Sequence, residues 1–286
     1  MSRSKCDTCL TLARRGGTVK IRIGTSGWHY ADWQGRFYPE KLPKNKWFEY
    51  YAQNFNTVEV NNTFYHQPKE QTFQNWCEQA PKKFLFTVKA NRFITHIKRL
   101  KDPKEPLERF FKGVLLLNGN LGPVLYQLPP GFQKDLDRLE SFLKVLRNVI
   151  LNGAQRSEES LPPLPVSSPA FGGLRMTESV FEFRHKSWFS KDVYDLLREF
   201  NAGFCIHDMS GMKVPRVITS DVIYVRFHGP TGRYQGNYSK SALQDWACWI
   251  KDNLTGKNAV FAYFNNDYNA YAIGNAKTLR GQLQDS

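Results

Sequence analysis

The segment Val222-Ile223-Tyr224-Val225-Arg226-Phe227-His228-Gly229 decides the fold. It is a short apolar run that ends in arginine, histidine and glycine. Alternate residues of a strand share a face, so Tyr224, Arg226 and His228 point the same way. An arginine and a histidine on one face of a buried run are costly without partners. Other apolar runs in the chain end in the same manner, and this repeated design organises the sequence.

Reading outward, eight strand candidates emerge: Lys20–Gly24, Thr57–Asn61, Phe84–Lys89, Pro123–Leu128, Val180–Arg184, Gly203–Asp208, Val222–Phe227 and Ala259–Asn265. Helical patterns follow nearly all of them, at Trp47–Asn54, Gln71–Gln79, Pro106–Leu117, Leu136–Val149, Asp192–Phe200, Ser239–Asn253 and Ala270–Gln284. Only the stretch between Asp208 and Val222 lacks one. Alternating β and α units imply a parallel sheet. Eight units in about 260 residues fit a single-domain (β/α)8 TIM barrel. A doubly wound sheet would place a glycine-rich phosphate loop after its first strand, and Gly24-Thr25-Ser26-Gly27-Trp28 contains no GxGxxG.

Two segments stand outside this pattern. Residues 1–19 read as a disordered basic tail. Its Cys6-Asp7-Thr8-Cys9 has no second cysteine pair to complete a zinc site and no preceding strand to make a redox motif. Residues 152–176 are rich in proline, serine and glycine and read as a loop insertion.

At 41% hydrophobic and 23% charged, the chain has the composition of a globular protein. No apolar run approaches the ~20 residues that span a bilayer. The N-terminus lacks the apolar core of a secretory signal. Five scattered cysteines suggest reduced thiols and a cytoplasmic protein. The net charge of +14 favours an anionic partner, either nucleic acid or a phosphorylated small molecule. Ten basic residues between Lys82 and Lys112 concentrate that charge.

In a TIM barrel the C-terminal strand ends face the active site. Here those ends give Glu59 and Asn61, Lys89, Gln127, Glu182 and Arg184, Arg226 and His228, then Tyr263 and Asn265. The sixth strand offers His207 and Asp208 on opposite faces, and Asp208 is the candidate taken. A purely structural reading pairs Glu59, Glu182 and Asp208 with Lys89, Arg184 and Arg226. Buried ion pairs are a weak source of stability, so a ligand site is the preferred reading. Arg184, Arg226 and Lys89 suit bidentate or point-charge binding of an anion. Glu59, Glu182, His228 and Asp208 would supply acid–base groups. Asn61, Gln127 and Asn265 would orient the ligand, with loop aromatics such as Trp28 and Tyr65 as stacking surfaces. No cofactor is predicted. A divalent metal at Glu182, Asp208 and His228 is the weaker alternative, because neighbouring cations oppose it. Neither a GxSxG elbow nor a P-loop is present.

Several stretches together resemble the YecE-like family, a group of TIM-barrel proteins known as a domain of unknown function. They are IGTSGWHYADWQGRFYP at 23–39, FNTVEVNNTFYHQP at 55–68, FTVKAN at 86–91 with ITH at 94–96, LGPVLYQLPPGF at 121–132, FEFRHKSWF at 181–189, YVRFHG at 224–229 and YFNNDYNAYAIGNAKTL at 263–279. The resemblance implies the same barrel and adds His96, Asn266 and Asp267 to the polar positions above. The tail and the insertion depart from the family pattern. The fold is shared with metal-dependent endonucleases and sugar isomerases, an analogy only. The sequence thus points to an enzyme, most simply a hydrolase of phosphodiester or glycosidic bonds, acting on a phosphate-bearing substrate with nucleic acid favoured. The alternatives are a non-catalytic nucleic-acid-binding protein and a carbohydrate or sugar-phosphate enzyme. Oligomeric state is left open.

Overall fold

In a computed structural model, which describes residues 20–160, 178–232, 234–255 and 259–284, the eight apolar runs become eight parallel strands. These are β1 (Lys20–Thr25), β2 (Thr57–Val60), β3 (Leu85–Lys89), β4 (Leu121–Gln127), β5 (Ser179–Glu182), β6 (Gly203–Asp208), β7 (Val222–Phe227) and β8 (Ala259–Phe264). Between and after them run α1 (Trp47–Asn54), the single turn α2 (Asn62–Tyr65), α3 (Glu70–Gln79), α4 (Lys104–Val114), α5 (Leu136–Ser160), α6 (Lys191–Glu199), α7 (Lys240–Asp252) and α8 (Tyr271–Gln284). A turn of π-helix, Phe93–Ile97, follows β3. As expected, no helix joins β6 to β7. The chain is a (β/α)8 barrel. Among the described residues no helix is long and apolar enough to cross a membrane.

Hydrogen-bonded strands run in the order β1-β8-β7-β6-β5-β4-β3-β2. The ring nearly closes where β1 meets β2, through a bridge between Ser26 and Glu59. The Tyr51 hydroxyl from α1 stitches this seam. It accepts from Thr25 N at 3.0 Å and donates to Thr57 O at 3.1 Å. Gly24 permits the approach, since a Cβ there would lie 2.3 Å from Thr57 O. Gly24→Ala is therefore expected to cost about 1–3 kcal/mol or more, as overpacking does. A denaturation midpoint equal to that of the parent would contradict this account of the seam.

The barrel interior changes from apolar to polar along the strands. Leu125, Val180, Val222 and Phe261 fill the N-terminal end. Above them lie Tyr224, Tyr263 and Cys205, with the Tyr263 hydroxyl bonded to Thr57 Oγ1 at 2.6 Å and Thr87 Oγ1 at 2.8 Å. The period-two pleat then brings Glu59, Glu182, His207 and Arg226 inward. The opposite faces pack against the helices as a continuous aromatic-rich core that includes Phe86, Trp76, Phe183, Trp188, Phe227 and Trp246.

Helix α5 runs on to Ser160, so the start of the expected insertion is helical. Residues 161–177 lie outside the described residues, as do the tail 1–19 and its Cys6–Cys9 pair. The expected boundaries of the other elements hold to within a few residues.

Candidate functional site

The floor of the barrel mouth is an ion triad. Arg226, 1% exposed, donates from Nη2 to Glu59 Oε1 at 2.7 Å and from Nη1 to Glu182 Oε2 at 2.6 Å. Glu59 is saturated further by Ser26 Oγ at 2.7 Å and by the Tyr224 hydroxyl at 2.6 Å. Arg184 Nε donates to Glu182 Oε1. Burial alone would raise the Glu182 pKa, but Arg184 and Arg226 outweigh it and hold the carboxylate well below its usual range. Burial likewise opposes the charge of Arg226, and Glu182 with Glu59 reverses that effect. Two carboxylates and two guanidinium groups therefore neutralise one another beneath the mouth.

His228 and His207 lie at the next level. Arg184 Nη2 is 2.9 Å from His228 Nε2. An arginine only donates, so the lone pair of His228 sits on Nε2. Its Nδ1 then carries the proton, 3.3 Å from Asn265 Nδ2, and a hydrogen bond there requires the Asn265 amide to turn its oxygen to the ring. His207 Nε2 lies 3.0 Å from the Phe183 carbonyl, which fixes its proton on Nε2. Burial lowers the pKa of both imidazoles and keeps them neutral.

Above this floor opens a pocket of about 260 Å³, lined by Phe64, Tyr65, Lys89, Arg92, His96, Gln127 and Tyr234. The Lys89 ammonium lies 4.1 Å above the Phe64 ring. Burial, reinforced by Arg226, pushes its pKa down to about 7. Burial also lowers the His96 pKa to about 4, with Lys89 and Arg92 acting in the same direction. Thr95 Oγ1 holds His96 Nδ1 at 2.9 Å. Among the described residues no carboxylate lines the pocket.

The expected site residues thus divide into three groups. Lys89, His96, Gln127 and Tyr65 line the pocket, and Arg184, His228 and Asn265 lie against its floor. Asn61 stands at the start of α2, with Oδ1 buried and without a hydrogen-bond partner among the described residues. Glu59, Glu182 and Arg226 lie below, committed to one another, so the structural pairing weighed for them is present. Arg226 is accordingly not a free anion ligand.

Three expectations are corrected. Asp208 faces away from the barrel interior, where Tyr238 and Trp246 donate to its carboxylate and Arg216 lies near. His207 takes the inward position. Phe204 and Ile206 share the face of Asp208, and that apolar face belongs against the helices. Trp28, 5% exposed, packs on Phe48 and Trp76 in the outer core and offers no stacking surface. Asn266 is buried and donates to Gly236 O at 2.8 Å and to Asn275 Oδ1 at 2.9 Å, so it clamps the loop after β7 to α8. Phe64 and Tyr234, loop aromatics beside strand ends of the kind expected to stack, also line the pocket, as does Arg92 of the basic run between Lys82 and Lys112. Their signal was proximity to strand ends and the local run of basic residues.

Asp267, the last family position, sits by the first loop, with burial raising its pKa to about 7. The Tyr30 hydroxyl spends its one hydrogen on Ser26 O at 2.5 Å. The nearby Tyr30 hydroxyl opposes that rise, and Asp267 Oδ1 is buried without a hydrogen-bond partner among the described residues.

These features define a (β/α)8 barrel with an ionic floor under a cation-lined mouth. The chain belongs to the family described as "Protein of unknown function DUF72", whose model matches residues 22–286. It is 27% identical to UPF0759 protein YunF of Bacillus subtilis over 290 residues, covering 91% of this chain and 93% of that protein. It is 33% identical to UPF0759 protein YecE of Escherichia coli K12 over 99 residues, or 34% of this chain and 36% of that protein. The crystal structure of a DUF72 family protein from Thermotoga maritima is similar with a TM-score of 0.75 and 28% identity. That match covers 93% of this chain and 99% of the other.

Proposed function

We propose that the barrel mouth binds a phosphate-bearing anion and that the protein is a hydrolase acting on it, with a nucleic-acid strand as the favoured substrate. The carrying observation is the charge of the pocket. Lys89 and Arg92 line it, while the carboxylates of Glu59 and Glu182 beneath are already neutralised by Arg184 and Arg226. An anion entering the pocket meets uncompensated positive charge and no competing acid. Tyr65, 68% exposed at the rim, gives a base or sugar a face to stack on. Shifted pKa values in a cleft are the mark of acid–base chemistry. Lys89, with its pKa at about 7, is the pocket group poised to take a proton near neutral pH.

The test is binding of a labelled oligothymidylate across a salt series. Affinity should fall steeply with salt, and Arg92→Ala should reduce the log–log slope by about one contact. An affinity indifferent to salt, or a slope unchanged in the variant, would refute the phosphate reading. Release of labelled products from oligonucleotides by the parent, lost in Lys89→Met at saturating oligonucleotide, tests catalysis separately.

A further inference from the structure

His207 carries a lone pair that the fold leaves unused. Its ring is 2% exposed, its Nε2–H is spent on the Phe183 carbonyl, and its buried Nδ1 has no hydrogen-bond partner among the described residues. A buried acceptor without a donor is costly and calls for an explanation. His228 presents the complementary case. Its Nε2 lone pair faces inward, 3.8 Å from Glu182 Oε1, and is held by Arg184 Nη2 at 2.9 Å with Arg226 Nη1 at 3.4 Å. An imidazole with its outer N–H tied to a backbone carbonyl and its inner nitrogen bare, as in His207, is the usual form of a metal-ligating histidine. Glu182, His207 and His228 each offer a ligand atom within 4.8 Å of the other two.

The guanidinium of Arg184 bridges Glu182 Oε1 and His228 Nε2. That is where a cation shared by those two atoms would sit. We propose that Glu182, His207 and His228 form a seat for a divalent transition metal of the zinc class, and that Arg184 is its stand-in cation until the metal enters. Two histidines and a carboxylate are a donor set that zinc accepts, with a fourth position left for water or substrate. Metal bonds of about 2.0–2.2 Å at tetrahedral angles set ligand atoms about 3.3–3.6 Å apart, so a set spread over as much as 4.8 Å closes by about 1.2–1.5 Å on binding. Arg184 must withdraw toward the pocket, because a guanidinium and a divalent ion cannot share one carboxylate oxygen and one imidazole nitrogen. It lies just under the surface, at 6% exposure, whereas Arg226 is enclosed. The seat replaces the ligand set expected from sequence by putting His207 where Asp208 was placed. It lies beneath the anion pocket and does not depend on it.

The test uses the full chain with Cys6→Ser and Cys9→Ser, which removes the CxxC as a competing ligand. Chelator-treated protein is titrated with Co²⁺ and then with Zn²⁺. The expected result is visible cobalt absorption that saturates near about one equivalent and is bleached by zinc. Arg184→Met should bind cobalt about tenfold tighter or more, since a competing cation is gone. His207→Gln should lose the absorption while keeping its far-ultraviolet circular dichroism, and Asp208→Asn should keep both. Absence of saturable absorption in both the parent and Arg184→Met would overturn the proposal, as would absorption that survives in His207→Gln. Should His207→Gln misfold, the comparison with Arg184→Met still decides. Oligonucleotide binding in metal-free buffer is read separately, so either reading can fail alone.

Discussion

Arg226→Met is expected to lower stability by about 3–5 kcal/mol at neutral pH, the cost of leaving a buried ion pair without one partner. The substitution keeps most of the side-chain volume, so the loss reports charge rather than a cavity. Glu59 and Glu182 would then share the barrel interior, with Ser26, Tyr224 and Arg184 as their remaining donors. The pH dependence gives the sharper signature. In the parent, the depressed Glu182 pKa contributes stability that is present above about pH 4.3, the usual glutamate value, and is lost as pH falls through the lower folded value. In Arg226→Met at least one carboxylate is pushed above its usual pKa, because like charges at one site disfavour ionisation. Its native state then binds more protons than the unfolded state, so the variant regains stability as pH falls from neutrality. Denaturant midpoints measured across the pH range would show the two curves converging toward acid. Adding Glu59→Gln and Glu182→Gln should recover much of the loss at neutral pH. A midpoint within about 1 kcal/mol of the parent's, the worth of a surface pair, would mean that the triad does not hold the floor together.

The second large effect belongs to Lys89. With its pKa pushed down to about 7, it loses charge as pH rises through neutrality. Oligothymidylate affinity should fall over the same window. The bound phosphate favours the charged ammonium and moves the midpoint upward. Phosphodiesters do not titrate there, and the lowered pKa values of His96, His207 and His228 keep those rings neutral. Asp267, also near 7, does not line the pocket. Lys89→Arg separates the two, since arginine stays protonated. It should bind with little pH dependence. Lys89→Met should lose about ten- to a hundredfold in affinity at pH 6, the worth of one charge-assisted hydrogen bond. Titration calorimetry across the pH range would measure both. A pH-independent affinity in the parent would remove Lys89 from the anion site.

Much of the barrel was legible in the chain because its causes are local. Alternating apolar runs and amphipathic stretches need only the strand and helix periods to be read, and no helix separates β6 from β7. Period two also put Tyr224, Arg226 and His228 on one face before any contact was known. The same rule read on β6 would have chosen His207 over Asp208, since Phe204 and Ile206 mark the face toward the helices. What no local rule contains is partner choice. Arg226 bonds Glu59, 167 residues away, and Glu182, 44 residues away. Those separations turn an expected anion ligand into part of the floor. The buried Trp28 and Asn266 were equally unreadable, because an aromatic or amide beside a strand end faces a mouth or a core only once the loops have packed. The sequence by itself determined the eight repeated units and the ring of polar strand ends. The tertiary structure alone decided which charges cancel and which remain open to a ligand, because the energy of a charge depends on its burial and its neighbours across the ring.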